Sequence, residues 1–394
     1  MIVITDPQQC CGCEACVQTC PKQCISFDED AYGFRYPTVN PDVCIQCGRC
    51  TKVCPMLNAS TPHQPATVYA MQHPAENIRQ QSSSGGIFTL LAQEVFARNG
   101  VVFGARFNSD WEVVHDYAET MDALQPFMGS KYVQSRIGMS FVQAKDFLKS
   151  GRWVLFSGTS CQIAGLRRFL GRDYDRLLTI DVVCHGVPSP LVWRKYLEVI
   201  KAKSTDATTQ ITHIAFRDKA TGWKKSSLTI KGTTTNRQEA HTLLHERCDR
   251  NVYMRLFHHD LTLRPSCFNC PAKEGKAGSD FTLADFWGIA KRAPELDDDK
   301  GTSMVMVNTE KAASLFANLE ISRQEIPYSF AVQENPSIVH CSSTKSNVLQ
   351  SFWKHFNKKE FQEIERIIEA SIPLKLRWNL LKMRIKQALR KTFS

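Results

Sequence analysis

Apolar runs of strand length alternate with helically patterned segments through the middle of this chain. The predicted strands lie at 101–107, 153–156 and 177–183. The predicted helices lie at 87–98, 162–170 and 190–203. Loops rich in Gly, Ser or Pro follow the second and third strands, as is typical of loops between regular elements. Because strand–loop–helix units build layered sheets, this pattern predicts an α/β core with its active groups in the loops at strand ends.

The pattern becomes less regular on both sides of this region. Further strand-like runs lie at 211–217, 227–231, 281–286 and 303–307. These runs do not alternate clearly with helices, which favours a mixed sheet over a purely parallel one. Two short runs at 25–27 and 33–37 predict a small hairpin. The predicted fold class is therefore α/β with a mixed sheet, together with a small α+β domain at the N-terminus.

Changes in composition divide the chain into four predicted parts. Residues 1–58 form the small N-terminal domain, and 59–66 form a polar linker that is rich in Ser, Thr and Pro. Residues 67–345 form the main domain, and 346–394 form a helical C-terminal region. The main domain is long enough to bury a full hydrophobic core.

Two cysteine runs near the N-terminus carry the clearest chemical signal. They are Cys10-x-x-Cys13-x-x-Cys16-x-x-x-Cys20-Pro21 and Cys44-x-x-Cys47-x-x-Cys50-x-x-x-Cys54-Pro55. This is the bacterial ferredoxin spacing for 4Fe-4S clusters, in which the fourth cysteine of each run ligates the other cluster. Cys54 is thus predicted to complete the first cluster and Cys20 the second. The alternative is a zinc or disulfide framework, but zinc sites favour separated pairs of cysteines over a continuous triplet.

Four further cysteines lie in loops of the main domain. Cys161 and Cys184 each follow a predicted strand, and Cys267-x-x-Cys270 lies in a stretch with little regular structure. Because loops at strand ends converge in α/β folds, these four cysteines are a candidate third 4Fe-4S site. The alternative is that Cys161 and Cys184 are small buried hydrophobic residues and that the Cys-x-x-Cys pair is isolated. The remaining cysteines are expected to be buried thiols: Cys11, Cys24, Cys248 and Cys341.

Composition narrows the expected compartment. No apolar run approaches the roughly 18 residues that a membrane-spanning helix requires. The first residues lack the basic region and apolar segment of a secretory signal, so we expect none. Sixteen cysteines without such a signal indicate metal binding in a reducing compartment, and we expect a cytoplasmic protein.

The formal net charge of +10 is unevenly distributed. Each cluster with four thiolates carries about −2, and much of the positive charge lies in residues 373–394, which contain no acidic residue. This distribution does not indicate nucleic-acid binding. Apolar residues recur on one helical face of the segment, at Leu374, Trp378, Leu381, Ile385 and Leu389. The pattern predicts a basic amphipathic helix that lies on an anionic membrane surface, or else docks on the protein itself or on a partner.

Five motifs in the main domain resemble, in order, the beta-subunit family of coenzyme F420 hydrogenases and dehydrogenases. They are Ser83-Ser-Gly-Gly86, Gly129-Ser-Lys-Tyr132-Val-Gln-Ser135, Gly158-Thr-Ser-Cys-Gln162-Ile-Ala-Gly-Leu-Arg167, Cys184-His-Gly-Val-Pro-Ser189 and Asp280-Phe-Thr-Leu-Ala-Asp285-Phe-Trp-Gly288. The resemblance covers about residues 66–340. It implies an FAD-binding α/β domain with 4Fe-4S clusters beside the flavin, and it strengthens the expectation of a third cluster. It does not specify a substrate.

The resemblance also implies which residues hold the flavin. The candidates are Ser83, Ser84, Gly85, Gly86, Lys131, Tyr132, Ser135, Thr159 and Gln162. The Ser-Ser-Gly-Gly loop precedes a helix, where small side chains and backbone N–H groups favour a pyrophosphate, although a plain tight turn is the alternative. Lys131 is a candidate cation for a phosphate or a reduced flavin ring, and Tyr132 is a candidate stacking partner. Their alternatives are a solvated lysine and a core tyrosine.

The expected activity is oxidoreduction between iron–sulfur clusters, FAD and an organic substrate or a deazaflavin coenzyme, with either direction of electron flow open. His185 is the candidate proton donor, because imidazole titrates near neutral pH, and Lys131 is a second candidate catalytic group. Arg217 is a candidate clamp for an acidic substrate, with a surface salt bridge as its alternative. The other hypothesis is a non-catalytic electron-transfer subunit of a larger redox complex. Expected partners are a redox protein such as reduced ferredoxin and, through 373–394, a membrane surface.

Overall fold

The structure is a computed structural model that describes residues 1–356 except 205, 207, 236, 320 and 345, together with residues 361 and 363. The predicted amphipathic helix at 373–394 lies outside the described residues. Of the helices in the described part of the chain, none has the length and apolarity that crossing a membrane requires.

The N-terminal unit is a small α+β module, as predicted. Its helices are α1 (Ala15–Gln18) and α2 (Arg49–Lys52), and its strands are β1 (Ile25–Glu29) and β2 (Arg35–Val39). The two strands pair antiparallel as a hairpin. Each short helix begins just after a residue with positive φ, and each carries the third cysteine of its run. The two cysteine runs, one before and one after the hairpin in the chain, therefore have similar local backbones.

The main domain is built on a mixed sheet, which confirms the predicted α/β class. Its strands are β3 (Thr67–Met71), β4 (Val101–Phe107), β5 (Val113–Ala118), β6 (Val154–Thr159), β7 (Leu177–Val182), β11 (Phe281–Asp285), β12 (Ser303–Val307) and β13 (Arg323–Glu325). Within the described residues their order is β13-β3-β12-β11-β7-β6-β4-β5. The central strands β4, β6, β7 and β11 run parallel, and the outer pairs are antiparallel.

Helices cover this sheet, and a second sheet lies beside it. The helices are α3 (Glu76–Gln81), α4 (Ile87–Phe96), α5 (Met121–Leu124), α6 (Ser140–Lys149), α7 (Ser160–Leu170), α8 (Pro190–Ala202), α9 (Val252–His258), α10 (Glu310–Ala317), α11 (Tyr328–Glu334) and α12 (Ser346–Phe356). The second sheet is antiparallel and contains β8 (Gln210–Asp218), β9 (Ser227–Thr234) and β10 (Arg237–Arg247). The predicted strands at 211–217 and 227–231 therefore belong to this separate sheet, where cross-strand pairing of β8, β9 and β10 replaces helix-linked pairing.

The N-terminal module and the main sheet share one hydrophobic core. Cys11, Cys13 and Ala15 of the module are buried in the same apolar cluster as Phe141 and Phe156 of the main domain. Polar side chains reinforce the junction at the start of α6. Both carboxylate oxygens of Glu14 accept backbone N–H groups there, from Ile137 and Gly138. Gln18 Oε1 accepts the backbone N–H groups of Phe141 and Val142, in the first turn of α6. Side chains of the module therefore cap the start of α6, in addition to the apolar contact between the two parts.

A glycine in α7 allows the closest approach between the two parts. A Cβ atom on Gly165 would lie 2.9 Å from both Cβ and Sγ of Cys13. Glycine inside a helix costs about 0.5–1 kcal/mol relative to alanine, so its presence here is explained by this contact. The contact brings a predicted cluster ligand directly against the helix that follows β6.

We therefore expect Gly165→Ala to weaken the junction even though alanine is the better helix former. Overpacking a close contact costs about 1–3 kcal/mol, which exceeds the gain in helix propensity. The thermal unfolding midpoint and the iron content per chain should both fall. Lys149→Ala, at an exposed position in α6, is the control and should change neither quantity. A Gly165→Ala protein that is more stable and retains all its iron would contradict this account of the junction.

Candidate redox site

The first predicted ligand set lines one pocket. Cys10, Cys13, Cys16 and Cys54 all face a space of about 290 Å³, which Ile2, Ile4, Phe27 and Met56 also line. All four cysteines are buried. The chain thus brings Cys54 from the second run to the three cysteines of the first. Burial raises the pKa of the Cys16 and Cys54 thiols, so a cation such as iron is required to hold them as thiolates.

The second predicted set lines another cavity, which is closer to solvent. Cys20, Cys44, Cys47 and Cys50 face a space of about 350 Å³. Cys47 is exposed and Cys20 and Cys44 are half-buried, in contrast to the first set. A fifth thiol, Cys24, also lines this cavity, and its Sγ lies 3.4 Å from Sγ of Cys20. Cys24, to which the sequence assigned no role, therefore lies beside the second ligand set.

The four main-domain cysteines converge at the carboxyl ends of the parallel strands. Cys161 follows β6 and Cys184 follows β7, while Cys267 and Cys270 approach from the loop after α9. Burial raises the pKa of the Cys267 thiol, and negative charge on Cys184, Cys161 or Cys270 would raise it further because all three are close. Sγ of Cys267 also accepts the backbone N–H of Val187 at 3.4 Å.

Two cysteines without a predicted role lie next to this third set. Cys11 packs in one hydrophobic cluster with Cys13 of the first set and Cys161 of the third, and its thiol lies close enough to both for them to shift its pKa. Cys341 Sγ accepts the backbone N–H of Cys270 at 3.2 Å. In the described residues, no group of three or more His, Cys, Asp or Glu side chains is arranged around a single metal ion. A cluster of four irons and four sulfides is a larger ligand than one ion, and the three cysteine sets are candidate sites for such a cluster.

Two buried cations support that interpretation. Lys273 is 7% exposed, and its Nζ donates to the carbonyl oxygens of Cys184 and Ser337. Arg264 is 1% exposed, and it donates to the carbonyl oxygens of Cys10 and Arg35. Within the described part of the chain, neither side chain forms an ion pair with a carboxylate. Burying an unpaired cation is costly, so anionic groups at the neighbouring cysteine sets fit the donors that are present.

The candidate flavin loop is packed tightly against the start of β12. Ser84 Oγ donates to the carbonyl oxygen of Thr302, and the N–H of Gly85 donates to Ser303 Oγ. Ser83 Oγ accepts the N–H of Ser130 at 2.5 Å, which joins the first and second resemblance motifs. Gly86 has φ +87°, a conformation that favours glycine, and it caps the start of α4. The loop therefore lies at a helix start as predicted, with the Gly85 N–H already engaged.

The remaining candidate flavin residues are engaged with protein atoms. Lys131 Nζ donates to carbonyl oxygens of its own loop, at Pro126, Met128 and Gly129, and burial lowers its pKa to about 7. Gln162 Oε1 accepts from the N–H and Oγ1 of Thr159 in a capping box at the start of α7. Gln162 Nε2 donates to Ser135 Oγ at 2.9 Å. The structure thus brings Ser135, Thr159 and Gln162 together, and their roles toward a flavin stay predictions.

The candidate proton donor has a carboxylate beside it that sequence reasoning missed. His185 Nε2 lies 2.6 Å from Oδ1 of Asp260, in an orientation that is not that of a hydrogen bond. The His185 ring contacts Phe257 edge-on, with ring centroids 5.1 Å apart. His258 lies nearby, and its pKa is lowered to about 4 by burial first and then by positive charge on His185. No local sequence pattern links residues 185 and 260, so this pair was not foreseeable.

Two parts of the chain match known protein families. Residues 151–326 match the family described as the C terminus of the coenzyme F420 hydrogenase/dehydrogenase beta subunit. Residues 9–58 and 36–85 match two families described as 4Fe-4S dicluster domains. The predicted resemblance is thereby confirmed.

Curated relatives match the N-terminal part. A "Ferredoxin 7Fe" of Hydrogenibacillus schlegelii is 46% identical over 56 residues, and a "Ferredoxin" of Alicyclobacillus acidocaldarius subsp. acidocaldarius is 43% identical over 56 residues. Each match covers 14% of this chain and 63% of the relative's length. A chain in the F420-reducing NiFe hydrogenase complex from Methanosarcina barkeri has 15% identity and a TM-score of 0.42, over 78% of this chain and 93% of that one.

We expect the buried guanidinium of Arg264 to stabilise and tune the first cluster. Arg264→Met should lower the iron content, because the carbonyl oxygen of Cys10 loses its donor and an anionic cluster loses a nearby cation. In protein that retains iron, one cluster potential should fall by roughly 60 mV, the equivalent of about 1.4 kcal/mol for a one-electron couple. Arg264→Lys should show a smaller change, and Arg292→Met, at an exposed position, should show none. Potentiometric titration followed by electron paramagnetic resonance measures these potentials; equal potentials in all variants would contradict this role.

Proposed function

We propose that this chain is an iron–sulfur flavin-dependent oxidoreductase. The premise is that it joins a 4Fe-4S dicluster domain to a C-terminal domain of the coenzyme F420 hydrogenase/dehydrogenase beta-subunit family. The cofactors required are two N-terminal 4Fe-4S clusters, a third such cluster and one FAD. The clusters would carry single electrons and the flavin would pair them for transfer to or from an organic substrate or a deazaflavin coenzyme. The redox partner is a ferredoxin-like protein or a subunit of a larger complex.

The order of the ligand sets supports this function. The set that contains Cys47 is the most exposed, and the set that contains Cys10 is buried against the main domain. Cys11 then contacts both Cys13 and Cys161, so the first set adjoins the third. This continuous row from solvent to the main-domain cysteines is the observation that carries the proposal. An exposed outer set suits exchange with a partner protein, and a buried inner set suits transfer within the chain.

The residues near the third set support a chemical step beyond electron transfer. Cys161 and Cys184 lie at the carboxyl ends of β6 and β7, the edge of an open α/β sheet where ligands bind. His185 follows Cys184 directly and lies against Asp260. The carboxylate lies beside Nε2 of the imidazole, so the pair places a proton-carrying group next to the third cysteine set. Such a proton would accompany a hydride in the reduction of a C=C or C=O group.

The cofactor content of protein purified without oxygen tests this proposal. We expect about twelve irons and twelve sulfides per chain, from three clusters of four, together with about one FAD. The visible absorbance should bleach on addition of dithionite. A Cys161→Ser/Cys184→Ser variant should hold about eight irons. Cys248→Ser is the matched control, because Cys248 Sγ donates to the carbonyl oxygen of Phe216 and is not among the proposed ligands, and it should retain about twelve irons.

About eight irons and no flavin in the wild-type protein would contradict the enzyme proposal. The chain would then be an electron-transfer subunit without a substrate of its own. About eight irons together with FAD would contradict only the third cluster.

A further inference from the structure

Arg217 is a buried arginine with one edge of its guanidinium unused. The side chain, at the end of β8, is 9% exposed. Its Nη1 donates to Asp285 Oδ2 at 2.7 Å and lies 3.4 Å from the hydroxyl of Tyr132. Its Nε and Nη2 atoms are both buried and have no hydrogen-bond partner among the described residues. All of the polar contacts are thus on one side of the group.

The unused side of this guanidinium matches a specific class of ligand. Nε and Nη2 present two parallel N–H groups, the edge that binds a carboxylate or a phosphate through two oxygens. A buried donor left without a partner destabilises the folded protein, and here there are two such donors on one side chain. Asp285 does not supply the missing acceptor, because its Oδ1 accepts Trp223 Nε1 at 3.2 Å. A bound oxyanion would satisfy both N–H groups at once.

The charged groups around Arg217 include both cations and carboxylates. Arg217, Lys219 and Arg79 are close enough to affect one another, and the nearby carboxylates are Asp285 and Asp298. Lys219 Nζ donates to the carbonyl oxygens of Arg79, Ser84 and Lys300. Burial lowers the pKa of Lys219 to about 7. An anion beside Arg217 would favour the ammonium form of Lys219.

The position of this group links the candidate flavin loop to the candidate proton donor. Lys219, which is two residues from Arg217 in the chain, donates to the backbone of Ser84. On the other side, the Tyr132 ring lies 5.0 Å from that of Phe257, which contacts His185. Trp287 covers the guanidinium at 5.5 Å and is 38% exposed, while it stacks on Trp223 at 4.8 Å. Arg217 is therefore connected to the loop through Lys219 and to the imidazole through Tyr132 and Phe257.

We propose that the Nε–Nη2 edge of Arg217 is an oxyanion-binding site for a carboxylate or phosphate group. This inference rests on the proposed function and extends it, because it makes the ligand of the main domain an acid. The oxyanion is either the carboxylate of the organic substrate or a phosphate of the flavin dinucleotide. Asp285 and Tyr132 orient the guanidinium for this ligand, and Trp287 shields it from water.

Binding measurements on Arg217→Gln and Arg217→Lys test the site. The probes are succinate and inorganic phosphate. Their binding is measured through changes in the flavin absorbance of the holoprotein and in tryptophan fluorescence. Loss of a two-point contact with charge should weaken binding of the responsive probe at least tenfold, equivalent to about 1.4 kcal/mol. Arg217→Lys should recover only part of the affinity, since an ammonium cannot offer two parallel donors. Arg106→Gln, which removes an arginine paired with Asp116 at the far side of the sheet, is the control and should bind normally.

The two sources of the oxyanion give different results. Arg217→Gln that keeps its FAD but loses affinity for succinate assigns the site to a substrate carboxylate. Arg217→Gln that loses FAD, and whose flavin-free form binds phosphate at least tenfold more weakly than flavin-free wild type, assigns it to the cofactor. Unchanged FAD content with unchanged affinity for both anions would overturn the proposal. Wild type that binds neither anion in either form would also overturn it.

Two further measurements keep this test separate from folding and from the proposed function. Arg217→Gln/Asp285→Asn removes both charges of the pair, so it leaves no unpaired buried carboxylate if the single variant fails to fold. Iron content should remain at the wild-type level in both variants. If wild type contains no flavin, the proposed function fails, but titration of succinate and phosphate by tryptophan fluorescence still decides whether Arg217 binds an oxyanion.

Discussion

The guanidinium of Arg264 joins the two halves of this molecule at the point where electrons would cross. It donates to the carbonyl oxygen of Cys10, within the first ligand set, and it lies three residues before Cys267 of the third. Its face lies 4.4 Å from the ring of Tyr36 in the N-terminal hairpin. One buried, permanently charged side chain therefore fixes the N-terminal module against the loop that carries Cys267 and Cys270. The relative position of the ligand sets depends on this contact and on the Gly165–Cys13 approach.

A common electrostatic pattern connects the three parts of the candidate site. Arg264 and Lys273 are buried cations that donate to backbone carbonyl groups of predicted cluster ligands. Arg217 is a third buried cation. It pairs with the carboxylate of Asp285, and its Nε and Nη2 donors have no partner among the described residues. Buried cations are stable only when negative charge is near. The main domain is thus arranged to receive anionic groups, which is what three thiolate-ligated clusters and an acidic ligand would be.

The sequence was most informative where chemistry repeats at short spacing. The two cysteine runs predicted the N-terminal module, and the strand–loop–helix pattern predicted that Cys161 and Cys184 each follow a strand. The structure adds that these strands are parallel neighbours. Local spacing could not reveal Arg264, whose contact with Cys10 spans 254 residues, or the pairing of His185 with Asp260. For Thr159 and Gln162 the local spacing was itself informative. It is the spacing of a helix capping box, and the structure contains that capping box at the start of α7. The second sheet was missed for a different reason. Its strands β8, β9 and β10 pair antiparallel with their neighbours along the chain, and the apolar runs alone do not show which sheet a strand joins.

An anaerobic crystal structure with anomalous scattering at the iron absorption edge tests the central claim most directly. The account predicts three compact iron peaks in a row: one among Cys20, Cys44, Cys47 and Cys50, one among Cys10, Cys13, Cys16 and Cys54, and one among Cys161, Cys184, Cys267 and Cys270. The middle peak should lie beside Arg264. Two peaks in the N-terminal module and none at the main-domain cysteines would contradict the claim that electrons are passed from the module into the main domain through a third cluster.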